Sequence, residues 1–166
     1  SEASLLFVGK LEQWPQQAMG VPAGLPCIAL PLAPPTSFAR WDDIVARTAP
    51  LAGRPQRAAD ELAMICYTSG STGQPKGVMH AFGRITRTVE CMLADPERRL
   101  PEGVPWRTLS YLPLAHIYER AVVACRWLLA GDGPVFFSGS LETFVDHIKR
   151  GRPTVFFSVP RLWLKF

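Results

Sequence analysis

Short runs of apolar and β-branched residues alternate along the chain with longer segments whose apolar positions recur at helical spacing. Runs bounded by turn residues predict strands, and apolar residues three and four positions apart predict helices. Strands are predicted over residues 5–8, 27–30, 62–67, 107–112, 134–137 and 154–157. Helices are predicted over residues 10–19, 41–47, 81–93, 115–129 and 141–150, with a further helix beginning at Pro160.

This alternation predicts an α/β fold in which helices cover a parallel or mixed sheet. Residues 1–60 form a proline-rich entry portion, in which residues 21–55 are predicted to be mostly loop apart from the helix over residues 41–47. Residues 61–166 carry the clearer alternation of strands and helices, including a predicted buried strand over residues 62–67. The chain is long enough to form one domain with a core of its own.

Composition narrows the class of protein. Apolar residues make up 48% of the chain and charged residues 19%, which is typical of a globular protein. No apolar run approaches the roughly 18 residues that a membrane-spanning helix needs. The net charge of +4 comes from scattered basic residues, which argues against a nucleic-acid partner and suits a small anionic ligand. Four widely spaced cysteines form no CxxC pair, which favours reduced cysteines in a cytoplasmic protein.

Residues 67–77 contain the clearest candidate site and read Tyr-Thr-Ser-Gly-Ser-Thr-Gly-Gln-Pro-Lys-Gly. Hydroxyl groups that can donate to phosphate oxygens come from Thr68, Ser69, Ser71 and Thr72. Glycines that let backbone N–H groups approach an anion are Gly70, Gly73 and Gly77. Lys76 adds a positive charge on a long side chain. With a predicted strand before it and a predicted helix after it, this segment is predicted to bind phosphate groups.

Two better-known phosphate loops are excluded. The Walker A pattern is a glycine, four residues of any type, a second glycine, a lysine, and then serine or threonine. With Gly70 as the first glycine, Pro75 stands where the second glycine is required. The GxGxxG fingerprint of dinucleotide-binding proteins is absent from the sequence. A connecting loop without function remains the alternative, although it explains neither Lys76 nor the density of hydroxyl groups.

The segment resembles the signature loop of the adenylate-forming enzymes, whose usual form is YTSGTTGxPKG. Ser71 replaces a threonine of that pattern and keeps the hydroxyl group. The resemblance implies that the loop holds the β- and γ-phosphates of ATP while a carboxylate attacks the α-phosphate. After this loop, Ala81 stands where many members have a residue that can cap the next helix, so the cap is expected to come from elsewhere.

A second segment, residues 111–120, reads Tyr-Leu-Pro-Leu-Ala-His-Ile-Tyr-Glu-Arg and is similar to the LPLAHxxER segment of long-chain acyl-CoA synthetases. The resemblance implies that His116 lies where the acyl pocket meets the phosphate site and helps to position the carboxylate as a catalytic residue. The alternative is a histidine at a helix start that is packed in the core. Glu119 and Arg120 are taken as structural. Residues 152–163 also resemble this subgroup.

The resemblance implies that residues 1–166 are a piece of the large N-terminal AMP-binding domain of a long-chain fatty acid–CoA ligase, with the C-terminal subdomain absent. ATP, Mg²⁺ and coenzyme A are the expected cofactor and co-substrates, and no metal ligand is predicted within the chain. A cytoplasmic location is expected, peripheral membrane contact is left open, and the oligomeric state is not predicted. Alternatives are another adenylate-forming enzyme, such as an aryl or medium-chain acyl-CoA ligase or an adenylation domain, or a non-catalytic nucleotide-binding module.

We predict that the 166-residue chain by itself folds but forms no acyl-CoA. In the family that it resembles, the adenine-binding segment, the magnesium-binding carboxylate and a catalytic lysine all follow the region matched here. A direct assay of thioester formation by the purified chain with ATP, fatty acid and coenzyme A checks this, and measurable product would contradict it.

Overall fold

A three-stranded parallel sheet organises the proline-rich first unit, Ser1–Pro55. Its strands are β1 (Leu6–Val8), β2 (Cys27–Ala29) and β3 (Ala39–Arg40), paired in that order. Two short helices, α1 (Trp14–Ala18) and α2 (Trp41–Arg47), accompany them. Val8 and Ala29 are buried. The predicted strands and helices of this unit are confirmed, whereas β3 lies in a segment that was predicted to be loop.

The second unit, Gln56–Phe166, contains two small sheets and most of the helices. The computed structural model describes residues 2–69, 73–140 and 142–163. In this unit the strands are β4 (Leu62–Thr68), β5 (Lys76–Ala81), β6 (Thr108–Ser110) and β7 (Val135–Phe137). The helices are α3 (Phe82–Ala94), α4 (Ile117–Glu119), α5 (Arg126–Ala130), α6 (Phe144–Gly151) and α7 (Pro160–Trp163). A 3₁₀ turn follows α3 over Pro96–Arg98, and a π-helical segment, Arg120–Cys125, joins α4 to α5.

The predicted strand over residues 62–67 and the predicted helix over residues 81–93 are confirmed as β4 and α3, but an unpredicted strand between them forms an antiparallel hairpin with β4. The turn was predicted to extend to Gly77 and the helix to begin at Ala81, but Lys76–Ala81 forms β5 and pairs along the length of β4. The reason is that the backbone N–H and C=O groups of β4 need partners, and residues 76–81 supply them. The prediction that β4 is buried is also wrong, because Leu62 and Tyr67 are 50% and 56% exposed.

The helix after the hairpin begins with backbone caps. Ala81 provides no side-chain cap, as predicted. Instead, the N–H of Phe82 donates to the carbonyl of Glu61 at 3.0 Å, and the N–H of Gly83 donates to the carbonyl of Ala59 at 2.8 Å. Two of the N–H groups that a helix start leaves without partners are thereby satisfied. The start of α3 is therefore attached to the chain that leads into β4.

The parallel pair β6–β7 is covered by the helical segment 117–130 and by α6. Leu109, Val122, Val123 and Phe144 form the buried apolar part of this region. The predicted helix over residues 115–129 is confirmed in substance, and Gly131 ends it in the left-handed conformation with φ of 64°.

A buried arginine stabilises the end of this helical segment. The guanidinium of Arg126 lies 3.5 Å from the ring centre of Trp106. It also donates to both carboxylate oxygens of Asp132, at 2.8 and 3.2 Å. Arg126 is 6% exposed, so both the ring and the paired carboxylate compensate for the burial of its charge.

The predicted strand over residues 154–157 is not formed. The N–H groups of Thr154 and Val155 both donate to the carbonyl of Arg107, which produces a bend. The hydroxyl of Thr154 accepts from the N–H of Arg107 and donates to the carbonyl of Pro105. In a strand, the N–H groups of two successive residues point to opposite sides. Here the N–H groups of Thr154 and Val155 both point to the carbonyl of Arg107.

Substitution of Gly83 tests the attachment of α3. A Cβ atom at Gly83 would lie 2.7 Å from the Cβ and 2.9 Å from the carbonyl oxygen of Ala59. We expect Gly83→Ala to lower the free energy of unfolding by about 1–3 kcal/mol, since backbone must move to admit the methyl group. Gly139→Ala is the control because its Cβ would have nothing within 4 Å. Equal unfolding midpoints in denaturant for the two variants would contradict the close approach.

Candidate functional site

The tip of the β4–β5 hairpin brings together two of the predicted phosphate ligands. Thr68 and Lys76 are direct partners in the antiparallel register, and the hydroxyl of Thr68 donates to the Lys76 carbonyl at 3.5 Å. Directly opposed residues of an antiparallel pair present their side chains on the same face of the sheet. Both residues are exposed. The hydroxyl and the ammonium group therefore share one solvent-accessible face at the mouth of the loop.

Residues 69–75 lie between β4 and β5 in the sequence. Ser69 is exposed next to Thr68. Gly73 has a φ of 76°, which lies in the left-handed region that glycine adopts without strain. The predicted ligands Gly70, Ser71 and Thr72 lie outside the described residues. Their assignment as phosphate ligands, like that of Thr68, Ser69, Gly73 and Lys76, stays a prediction.

Gly77 has a different place from the one predicted. It lies in β5 opposite Tyr67 and does not belong to the turn. A Cβ atom there would come within 2.9 Å of the Ile65 side chain and 3.4 Å of the Tyr67 ring. The absence of a side chain at Gly77 therefore lets those two side chains lie over the hairpin.

His116 directly precedes α4, at the start of the helical segment 117–130, and is exposed. Its Nδ1 accepts a hydrogen bond from the N–H of Tyr118 at 3.3 Å, so the ring caps α4. Because Nδ1 accepts, the ring proton of the neutral imidazole is on Nε2. The exposed ring does not fit a histidine packed in the core. The catalytic role of His116 stays a prediction.

One apolar cavity connects the two predicted site segments. Its volume is about 700 Å³, and Tyr67, which precedes the loop, and Ala115, which precedes His116, both line it. Arg120 is the charged residue in its lining, and the other lining residues are Ala63, Met64, Ile65, Cys66, Phe82, Ile85, Thr86, Leu114, Ala124, Cys125, Leu128 and Leu129. The sequence did not single out these residues as a group, since they come from a hairpin and two helical segments that meet only in the fold.

A smaller cavity adjoins the large one. It has a volume of about 250 Å³ and shares Met64, Ile85, Arg120 and Cys125 with its neighbour. Burial raises the pKa of the Cys125 thiol; Arg120 lowers this pKa and Cys66 raises it. The thiol therefore stays protonated at neutral pH and contributes an apolar surface to both cavities.

Comparison with known proteins assigns this arrangement to a family. The sequence model of one protein family, described as "AMP-binding enzyme", matches residues 1–166. The chain belongs to the AMP-binding enzyme family. It is 40% identical over 105 residues to the human long-chain-fatty-acid–CoA ligase 1, an overlap of 63% of this chain and 15% of that protein. It is 41% identical over 104 residues to the peroxisomal long chain acyl-CoA synthetase 7 of Arabidopsis thaliana, an overlap of 63% and 14%.

The solved structures support the family's fold. A red-emitting luciferase from Phrixothrix hirtus superposes with a TM-score of 0.73 at 20% identity, over 98% of this chain and 32% of that one. At this identity the likeness establishes the fold alone, and it confirms the predicted α/β architecture. This AMP-binding chain spans about 15% of the length of the curated relatives that it matches.

The described residues contain neither a metal-binding cluster nor a membrane-spanning helix. Among residues 2–69, 73–140 and 142–163, no group of three or more His, Cys, Asp or Glu side chains is arranged to hold a metal ion. In the same part of the AMP-binding chain, every helix is too short or too polar to cross a membrane.

The cap made by His116 leads to a stability prediction. His116→Ala should lower the free energy of unfolding by no more than about 1 kcal/mol, because an exposed cap is lost and no core is emptied. His116→Asn should restore it, since asparagine is a preferred cap residue. Thermal unfolding of both variants checks this. A loss of several kcal/mol that asparagine does not restore would mean that the ring fills the interior.

Proposed function

We propose that this chain supplies the phosphate loop and part of the acyl cavity of an ATP-dependent long-chain fatty acid–CoA ligase. The complete enzyme would join a fatty carboxylate to ATP, with release of pyrophosphate, and then transfer the acyl group from the adenylate to the thiol of coenzyme A. Support comes from the family match, from the names of the relatives, and from the geometry of the hairpin and cavity.

The observation that carries the proposal is the junction of a polar loop with an apolar cavity. Lys76 and Thr68 lie at the hairpin tip, and Cys66, two residues before Thr68 on the same face of β4, lines the cavity. A fatty acid that reacts with ATP has the same division, since the phosphate groups at its reacting end are charged and its chain is apolar. Burial of each methylene group contributes about 0.8 kcal/mol, so a long chain gains most from an apolar cavity.

The loop would act electrostatically in the first step. As the carboxylate oxygen bonds to the α-phosphorus, the bond to the β-phosphate oxygen breaks and negative charge grows on the departing pyrophosphate. The Lys76 ammonium, the hydroxyl groups of Thr68 and Ser69, and the loop N–H groups would compensate for that charge. Mg²⁺ would enter bound to ATP, where it neutralises phosphate charge. The loop offers hydroxyls and a cation but no carboxylate, so we assign it no metal.

His116 would act at the carboxylate end of the cavity. Its Nδ1 is engaged with Tyr118, which leaves the Nε2–H as the donor that could orient a carboxylate or phosphate oxygen. Ala115 lines the cavity directly before it. This placement is consistent with a ring at the mouth of the acyl site.

The location of the complete enzyme is also a proposal. We place it in the cytoplasm with peripheral membrane contact. Leu128 and Leu129 line the cavity and are 72% and 47% exposed, which suits delivery of an apolar substrate from a lipid surface.

The carboxylic acid that the complete protein activates distinguishes a long-chain fatty acid–CoA ligase from the alternative functions. ATP–pyrophosphate exchange by the complete protein, measured across fatty, aryl and amino acids, should be fastest with long-chain fatty acids. Exchange driven by aryl or amino acids would indicate a different adenylate-forming enzyme. Binding of ATP without exchange for any acid would indicate a non-catalytic nucleotide-binding module.

Removal of the Lys76 charge tests the loop. In the complete enzyme, Lys76→Ala should slow pyrophosphate exchange by roughly a hundredfold, because a charge-assisted contact to phosphate is worth about 2–3 kcal/mol. Lys149→Ala is the matched control, since Lys149 is an exposed lysine on α6. Exchange at the wild-type rate in the Lys76 variant would show that the loop does not hold phosphate.

Replacement of His116 separates a cap from a site residue. His116→Ala and His116→Asn should both slow adenylate formation, although asparagine keeps the helix cap. Recovery of full exchange by His116→Asn would show that only the cap matters and that the catalytic assignment is wrong.

A further inference from the structure

The segment that carries His116 is held at its base by a buried hydrogen bond. Residues 111–116 connect β6 to α4, and the hydroxyl of Ser110, the last residue of β6, donates to Oε1 of Glu119 at 2.6 Å. Both residues are 3% exposed. The bond therefore joins the end of the strand to the first turn of the helix in a place that solvent does not reach.

Arg120 holds the same segment at a second point. Its Nε donates to the carbonyl of Leu114 at 3.0 Å, and its own backbone N–H donates to the carbonyl of His116 at 3.0 Å. The side chain thus folds back over the turn that begins at His116. Arg120 is half-buried and lines both cavities.

We propose that Arg120, supported by Glu119, is a positioning residue that acts through His116. This rests on the proposed function of His116 at the carboxylate end of the acyl site. Arg120 fixes the carbonyl of Leu114, two residues before His116, and so keeps the imidazole where it meets the substrate. The sequence pattern alone gave both residues a purely structural role.

Two substitutions of similar length isolate the hydrogen bond. Arg120→Met keeps the apolar part of the side chain and removes the donor, and Arg120→Lys keeps a donor. In the complete enzyme, Arg120→Met should lower kcat for pyrophosphate exchange about tenfold, since a small misplacement of a catalytic group is costly. Arg120→Lys should stay within about threefold of wild type, and KM for the fatty acid should change by less than about twofold in both variants.

The double variant decides whether Arg120 acts through His116. If it does, Arg120→Met combined with His116→Ala is no slower than His116→Ala alone, within about twofold. Arg107→Met is the matched control: Arg107 is also half-buried, and it donates to the carbonyls of Gly151 and Arg152 at the end of α6. It should change the unfolding temperature without changing exchange per folded molecule.

Several results would overturn the proposal. One is a wild-type kcat in Arg120→Met, and another is a rise in KM for the fatty acid with kcat unchanged. A third is a double variant in which the rate losses of Arg120→Met and His116→Ala multiply. Wild-type exchange in His116→Ala would overturn it too, because Arg120 would then have nothing to act through. In that case the Lys76→Ala result still tells independently whether the phosphate loop and the proposed reaction stand.

Discussion

The antiparallel pairing of β4 with β5 sets the geometry of the candidate site. Its register places Thr68 opposite Lys76 and so closes the phosphate loop between them. A slip of one residue would turn Lys76 to the other face of the hairpin and separate its charge from the hydroxyl. The open end is fixed as well, because the carbonyls of Glu61 and Ala59 cap the start of α3. The loop is therefore supported by structure on both sides.

The same hairpin also forms one wall of the apolar cavity. Side chains of β4 face the helical segment that follows His116, and the cavity lies between them. Arg120 is the charged residue of the cavity lining, and the apolar surface begins at Cys66, two residues before Thr68 on the same face of β4. This division matches a substrate that has a charged reacting end and an apolar chain, and it explains why the two site segments, distant in sequence, serve one reaction in our proposal.

The chemistry of the loop and most helices could be predicted from the sequence because those signals are local. The hydroxyl groups, glycines and lysine are contiguous, and the helix over Trp41–Arg47 has the bounds expected from its apolar spacing. Strand β5 could not be predicted, since its identity depends on the pairing needs of β4. Residues 154–157 have the composition of a strand, yet their backbone converges on Arg107. The cavity and the bond between Ser110 and Glu119 depend on contacts that only the fold creates.

Lysine footprinting of the complete protein would show whether the tip of the β4–β5 hairpin binds the phosphates of ATP. The rate of acylation of Lys76 by an amine-reactive reagent would be measured by mass spectrometry with and without saturating ATP, with Lys149 as the internal reference. We expect ATP to protect Lys76 strongly and to leave the acylation rate of Lys149 unchanged, because only Lys76 would contact the phosphates. Equal modification of Lys76 with and without bound ATP would contradict it.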